Sequence, residues 1–180
     1  MAFWSDAYTE AEPKRQFRWI LLLGGIPQWI IKKVNKPSFD ISEAEHSYLN
    51  HTFYYPGRVK YEPISITLVD PLEPDASLTM MQLLEASGYA VPENQDDLQT
   101  ISKHNATFAL GQPTIQQLGP SGDVADSFTL KNAWVQKVSF GELDYTSDDM
   151  IEITMDIRYD YLEFSTHGSS VENPPPFASI

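Results

Sequence analysis

Residues 150–164, Met-Ile-Glu-Ile-Thr-Met-Asp-Ile-Arg-Tyr-Asp-Tyr-Leu-Glu-Phe, restrict the chain more than any other stretch. Ile151, Ile153, Met155, Ile157, Tyr159 and Tyr161 fall on one face of an extended chain. Glu152, Thr154, Asp156, Arg158 and Asp160 fall on the other. Alternation with a period of two describes a strand with one dry and one wet face, because helical spacing would scatter both sets around a cylinder. At roughly 3.3 Å per residue such a strand would run about 36 Å, against a usual ~5–6 residues. Strands of that length belong to barrels or to sheets that continue into a neighbouring copy, so the pattern already raises the question of assembly.

The rest of the chain reads as mainly β with one α-helix. In residues 62–69, Ile64, Ile66 and Leu68 alternate with Ser65 and Thr67, and Asp70-Pro71 stops the strand. Asp75 is placed to accept the free amide protons of a helix over about 76–87. Met80, Leu83, Leu84 and Ser87 form its stripe, flanked by Leu78 and Met81, and Gly88 ends it. A Met/Leu stripe of this kind packs a core. Residues 17–23 and 29–34 are expected to pair as a hairpin around Gly24-Gly25 and Pro27, and residues 106–118 and 126–138 to form two strands about the turn Gly119-Pro120-Ser121-Gly122. Residues 89–105 read as loop. The expectation is six or seven mostly antiparallel strands in two sheets that form a small barrel or sandwich.

Residues 39–60 show no clear period. They carry Glu43, His46, Tyr48, His51, Phe53, Tyr54 and Tyr55, large side chains with an apolar body and a polar tip, which suit interfaces. Ordinary strand surface is an equally good reading of the composition. Residues 1–16 read as an arm whose Phe3, Trp4 and Tyr8 suit docking on a partner. Residues 17–164 read as the folded domain, and residues 165–180, with Pro174-Pro175-Pro176, as a flexible tail.

Charge and missing residue types exclude several functions. The net charge is −13, with eight basic against six acidic side chains in residues 1–60 and four against nineteen thereafter. A chain so acidic is poorly suited to gripping nucleic acid, which needs Lys and Arg on phosphates; solubility explains the acidity as simply. No run of about 18 apolar residues occurs, so no membrane insertion is expected. Cysteine is absent, which removes disulfides and thiolate metal sites. The four histidines, at 46, 51, 104 and 167, form no metal-binding spacing. Gly24-Gly25 lacks the third glycine of a dinucleotide site, and neither a P-loop nor a serine nucleophile elbow is present. No catalytic, cofactor-binding or metal residues are therefore expected, and no cofactor.

Tyr55-Pro56-Gly57-Arg58-Val59-Lys60-Tyr61-Glu62-Pro63-Ile64-Ser65-Ile66-Thr67-Leu68 resembles a segment of the tail tube proteins of contractile-tailed phages. In that family the strand is followed by an acidic turn and a single helix, as residues 70–88 are read here. Leu130-Lys131-Asn132-Ala133-Trp134-Val135, Val138-Ser139-Phe140-Gly141-Glu142-Leu143-Asp144-Tyr145 and the long alternating strand resemble the family's end. The resemblance spans residues 17–164 and implies a non-enzymatic virion protein. Six copies would form a ring whose inner strands join in one barrel, and rings would stack into a tube for DNA. It further implies contacts with sheath and baseplate proteins and a place in the phage tail, assembled in the host cytoplasm. The region around 42–57, with Glu43, His46, Tyr48, His51, Phe53, Tyr54 and Tyr55, would reach an adjacent subunit. Glu152, Thr154, Asp156, Arg158 and Asp160 would face the channel, whose acidic groups would let DNA slide without sticking. The acidic arm and proline-rich tail depart from the family and leave open a baseplate–tube junction or tube-end role. A tube subunit of a type VI-like injection apparatus is the other alternative, and a ligand-binding β-barrel or enzyme a third.

Overall fold

The chain alternates sides as it folds, so that strands adjacent in sequence often enter different sheets. The computed structural model describes residues 13–93, 98–166 and 169–170. One sheet has the order β1 (Trp19–Leu22), β6 (Thr114–Leu118), β7 (Val124–Lys131), β10 (Tyr161–Thr166), β11 (Ser169–Ser170). A second has the order β2 (Ile31–Val34), β5 (Ile64–Val69), β9 (Glu152–Arg158), β8 (Trp134–Ser139). A third contains only β3 (Phe39–Tyr48) and β4 (His51–Tyr61). Every pairing is antiparallel, and none of the three sheets closes into a barrel.

The core lies between the first two sheets. Ile64, Ile66 and Leu68 of β5 sit opposite Ile157, Met155 and Ile153 of β9, all buried, and meet Leu21, Ile115 and Leu130 from the other sheet. Each such side chain contributes about 1.5–3 kcal/mol by leaving water. The alternation expected over 62–69 is present in β5, whose residues are buried and half-buried in turn. Helix α1 (Ala76–Ala86) starts where expected: Asp75 accepts a hydrogen bond from the Leu78 amide at 2.8 Å. Met80 enters the core and Ser87 is buried.

Four expectations are corrected. The stretch 150–164 is not one strand: β9 ends at Arg158, and β10 begins at Tyr161 in the other sheet, paired with β7. The chain turns at Asp160, whose amide donates to the Lys131 carbonyl at 3.0 Å. Tyr159 is buried on the inner side, Asp160 and Tyr161 are exposed, and Leu162 packs against the core, so the phase of the alternation shifts at the corner and Tyr161 does not continue the dry face. There is a second helix, α2 (Lys103–Leu110), where loop and strand were expected. Ser102 caps it by accepting from the Asn105 amide at 3.1 Å, and Gly111 ends it at φ 73°. Residues 17–34 form no hairpin, because β1 pairs with β6 and β2 with β5. Residues 126–138 are two strands, β7 and β8, split at Asn132, which takes φ 53°.

Candidate functional site

The seven residues singled out between 39 and 60 are brought together in one two-stranded ribbon. Tyr48 faces His51, His46 faces Phe53, Glu45 faces Tyr54 and Glu43 faces Pro56 across the β3–β4 ladder. Cross-strand partners share a face, and each step along a strand changes it. One face of the outer half thus carries His46, Tyr48, His51, Phe53 and Tyr55, with the His51 and Phe53 rings edge-to-face at 4.6 Å. The other carries Glu43, Glu45, Ser47, Thr52 and Tyr54. The outer half of the segment is a regular β-hairpin with an aromatic side and an acidic, hydroxyl-bearing side.

The hairpin packs chiefly on itself. Every residue of β3 is exposed, and in β4 only Thr52 and Tyr61 are half-buried. Its tip carries Leu49, 88% exposed and at φ 54°, a conformation that costs a branched side chain energy. Pro56-Gly57 lies inside β4, opposite the point where the register with β3 shifts. The Arg58 amide donates to Ser42 Oγ at 2.9 Å, and a Cβ on Gly57 would lie 2.8 Å from the Ser42 carbonyl oxygen. At the root, Tyr61 packs against Phe39 and against Tyr159, with ring centroids 6.3 and 5.6 Å apart. A cleft of about 670 Å³ opens there, lined by Lys60, Tyr61, Lys103, Trp134 and Tyr159 among others. The Tyr159 hydroxyl is buried with no hydrogen-bond partner among the described residues, and burial pushes its pKa up.

Of the five residues read as a wet row, four share the outer face of β9. Glu152, Thr154, Asp156 and Arg158 are half-buried there, beside Ser65 and Thr67 of β5. The row is not acidic alone. Lys137 of β8 stands opposite Asp156, Lys33 of β2 opposite Thr67, and Lys32 donates a charge-assisted hydrogen bond to Glu152. That bond, with the negative field of Glu152, raises the pKa of the Lys32 ammonium. Asp160 stands apart from the row at the corner. It accepts from Lys103 Nζ at 2.6 Å and Asn132 Nδ2 at 2.9 Å, which hold its carboxyl below the usual range.

The remaining acidic side chains gather partly in residues 140–151, between β8 and β9. Asp144 accepts from the amide and hydroxyl of Thr146 at 2.9 Å, which lowers its pKa, and Glu142, Asp148 and Asp149 are exposed beside exposed Phe140, Leu143 and Tyr145. Among the described residues, no group of three or more histidine or carboxylate side chains is placed to hold a metal ion, and no helix is long and apolar enough to cross a membrane. The arm's Phe3, Trp4 and Tyr8 and most of the proline-rich tail lie outside the described residues.

No family model and no curated protein matches the sequence. Solved structures do match. The cap that terminates the tube of the anti-feeding prophage is 18% identical, with a TM-score of 0.65 over 93% of this chain and all of that one. The sheath/tube terminator structure of an extracellular contractile injection system, in its extended state, gives a match of 16% identity and TM-score 0.64, over 87% of this chain and 99% of that one. The sheath–tube complex of the same kind of system gives 15% identity and TM-score 0.62, covering 91% and 98%. The chain therefore has the fold found in tube and cap structures of contractile injection systems, and the resemblance seen in its sequence is matched at the level of structure.

Proposed function

We propose that this chain is a non-enzymatic structural subunit of the tube of a contractile, phage-tail-like particle. Six copies would form a ring, and stacked rings a channel for delivery of DNA into a host. The observation that carries this reading is the β3–β4 hairpin, which projects aromatic side chains that its own fold does not cover. Hydrophobic surface of this extent on a projecting ribbon belongs in an interface. The hairpin, through Tyr48, His51, Phe53, Tyr54 and Tyr55 with Glu43 and His46, would reach an adjacent copy.

The second sheet supports the ring. Among the described residues its edges β2 and β8 have no further strand beside them, and unpaired edges are either guarded or joined to another chain. Joining copies edge to edge would turn six four-stranded sheets into one barrel, with the outer face of β9 toward the channel. That lining would interleave Glu152 and Asp156 with Arg158, Lys33 and Lys137. DNA would meet few unpaired cations there, while the net charge of −13 per chain repels it at longer range. Sheath and baseplate proteins would be the outer partners, and assembly in the host cytoplasm would precede incorporation into the particle.

A second reading, a tube-end or baseplate-junction subunit, is favoured by the likeness to a cap and a terminator as well as to a tube complex. Size-exclusion chromatography with negative-stain microscopy tests both. Growing tubes are expected of a tube subunit and isolated rings of an end protein. A strict monomer at high concentration overturns the proposal.

A further inference from the structure

The Met/Leu stripe of α1 is not used by the core alone. Met80 is buried, but Leu83 and Leu84 remain half-buried and Met81 is 47% exposed. With Val135 and Val138 of β8 and with Phe140 they line an apolar groove of about 400 Å³. This groove meets the cleft at the hairpin root, since Ile101, Ala106 and Trp134 line both. At the cleft end the lining changes character, because Lys60, Lys103 and Arg158 join Tyr61 and Trp134 in the wall. These charges are unevenly matched. Lys103 donates to Asp160, which also accepts from Asn132, so this carboxylate of the lining is already neutralised. Lys60 lies 3.8 Å from Glu62 in a loose exposed pair, which contributes little. Arg158 is half-buried, and its guanidinium has no hydrogen-bond or ion-pair partner among the described residues.

We propose that groove and cleft together form a binding site for an amphipathic carboxylate, a fatty-acid-like molecule. Its apolar chain would lie along Met81, Leu84 and Val138, and its carboxylate would meet Arg158, with Lys60 close by. The two compartments complement the two halves of such a ligand. The groove removes hydrocarbon from water, and the cleft supplies the charge that a half-buried guanidinium lacks. Small-molecule sites have this composition, a mainly apolar concavity with a few polar groups at one end that fix orientation. Methionine suits the apolar end, because its unbranched, polarizable side chain adapts to a flexible partner. A purely apolar ligand would leave Arg158 unpaired, and a bare anion would leave the groove wet, so the page favours a molecule with both parts. Every residue in the site belongs to one chain, and the inference therefore does not depend on the ring reading.

Calorimetric titration of the full chain with decanoate tests the site, with decanol and inorganic phosphate as probes of each half alone. Decanoate is expected to bind saturably, one per chain, and about tenfold or more tightly than either control, since a charged hydrogen bond adds to the apolar contact. Arg158→Gln is expected to weaken decanoate by about tenfold or more and to leave decanol unchanged. Met81→Glu, which sets a negative charge in the groove, is expected to weaken both. Leu78→Glu, at a position exposed on the same helix but outside the groove, is expected to weaken neither. Circular dichroism confirms that each variant keeps its fold. The indole resonance of Trp134 should move during the titration and that of exposed Trp29 should not. Decanoate binding no tighter than decanol, or equally tight in the parent and in Arg158→Gln, overturns the site. A titration that never saturates also overturns it, by marking a general coating of exposed apolar surface. A monomer that binds decanoate would overturn the ring reading and leave this site standing, whereas assembled rings that bind none would overturn the site alone.

Discussion

The β5–β9 pair and the β3–β4 pair are both antiparallel ladders of mixed apolar and polar residues, and they reach opposite ends. In β5–β9, Ile66, Leu68, Ile153 and Met155 have no exposure at all, and the polar residues between them face outward. In β3–β4 no residue is buried, although the ladder is longer. A lone two-stranded hairpin is marginal in water because it has no dry face to offset the entropy of ordering it. The inner face of β5–β9 is thus buried by its own chain, whereas the hairpin stays exposed on both faces.

The largest test of that contrast is a pair of truncations. Met155→Ala is expected to cost about 2–5 kcal/mol in chemical denaturation, since it empties a packed core site. Phe53→Ala is expected to leave monomer stability within about 0.5 kcal/mol while reducing assembly. Equal destabilisation by both would break the distinction. Gly57→Val sharpens it within the hairpin. The added Cβ would collide with the Ser42 backbone, costing about 1–3 kcal/mol of local strain. Hydrogen exchange should then quicken in β3 and β4 and stay unchanged in β5 and β9.

Two smaller effects probe the joint between the regions. Tyr159→Phe removes a buried hydroxyl that has no partner among the described residues, so thermal unfolding should show no loss, or a gain of up to about 1 kcal/mol. Asp160→Asn tests the corner by pH. The folded carboxyl titrates below its unfolded value of about 4, so its stabilisation is present above that pH and lost as pH falls through the folded value. The variant should therefore lose stability less steeply than the parent between about pH 5 and pH 2, measured as the midpoint of thermal unfolding.

Elements with a buried face of their own were legible in the sequence. The alternation of Ile64, Ile66 and Leu68 and the cap at Asp75 correspond to β5 and the start of α1 because burial and capping leave local signatures. The corner at Tyr159–Asp160 was not legible, since Tyr161 prolongs the apolar alternation in the sequence although the inward phase passes to Leu162 once the chain changes sheets. Helix α2 was missed because only Ala106 and Leu110 are buried, while Phe108 points to solvent; the signal available was Ser102 three residues before Asn105. The hairpin looked aperiodic over its whole length because Pro56-Gly57 breaks the phase midway. Read separately, 43–48 and 51–55 place His46, Tyr48, His51, Phe53 and Tyr55 on one face and Tyr54 on the other. The candidate channel row was legible on β9, but the lysines that stand across from it come from β2 and β8, which only the folded register brings alongside.

The bends at Ser42 and Gly57 and the rings at Phe39, Tyr61 and Tyr159 also define how the molecule answers a mechanical load. A pull on the hairpin tip, where β3 and β4 are joined, would load both strands along their length and pass through residues 35–38 and 62–63 into β2 and β5. A pull along β9 would meet resistance from the β5 and β8 ladders simultaneously, in shear. Force entering through the hairpin would therefore reach the packed core through β2 and β5, two neighbouring strands already bonded to each other, with Tyr61 against Tyr159 as a side contact.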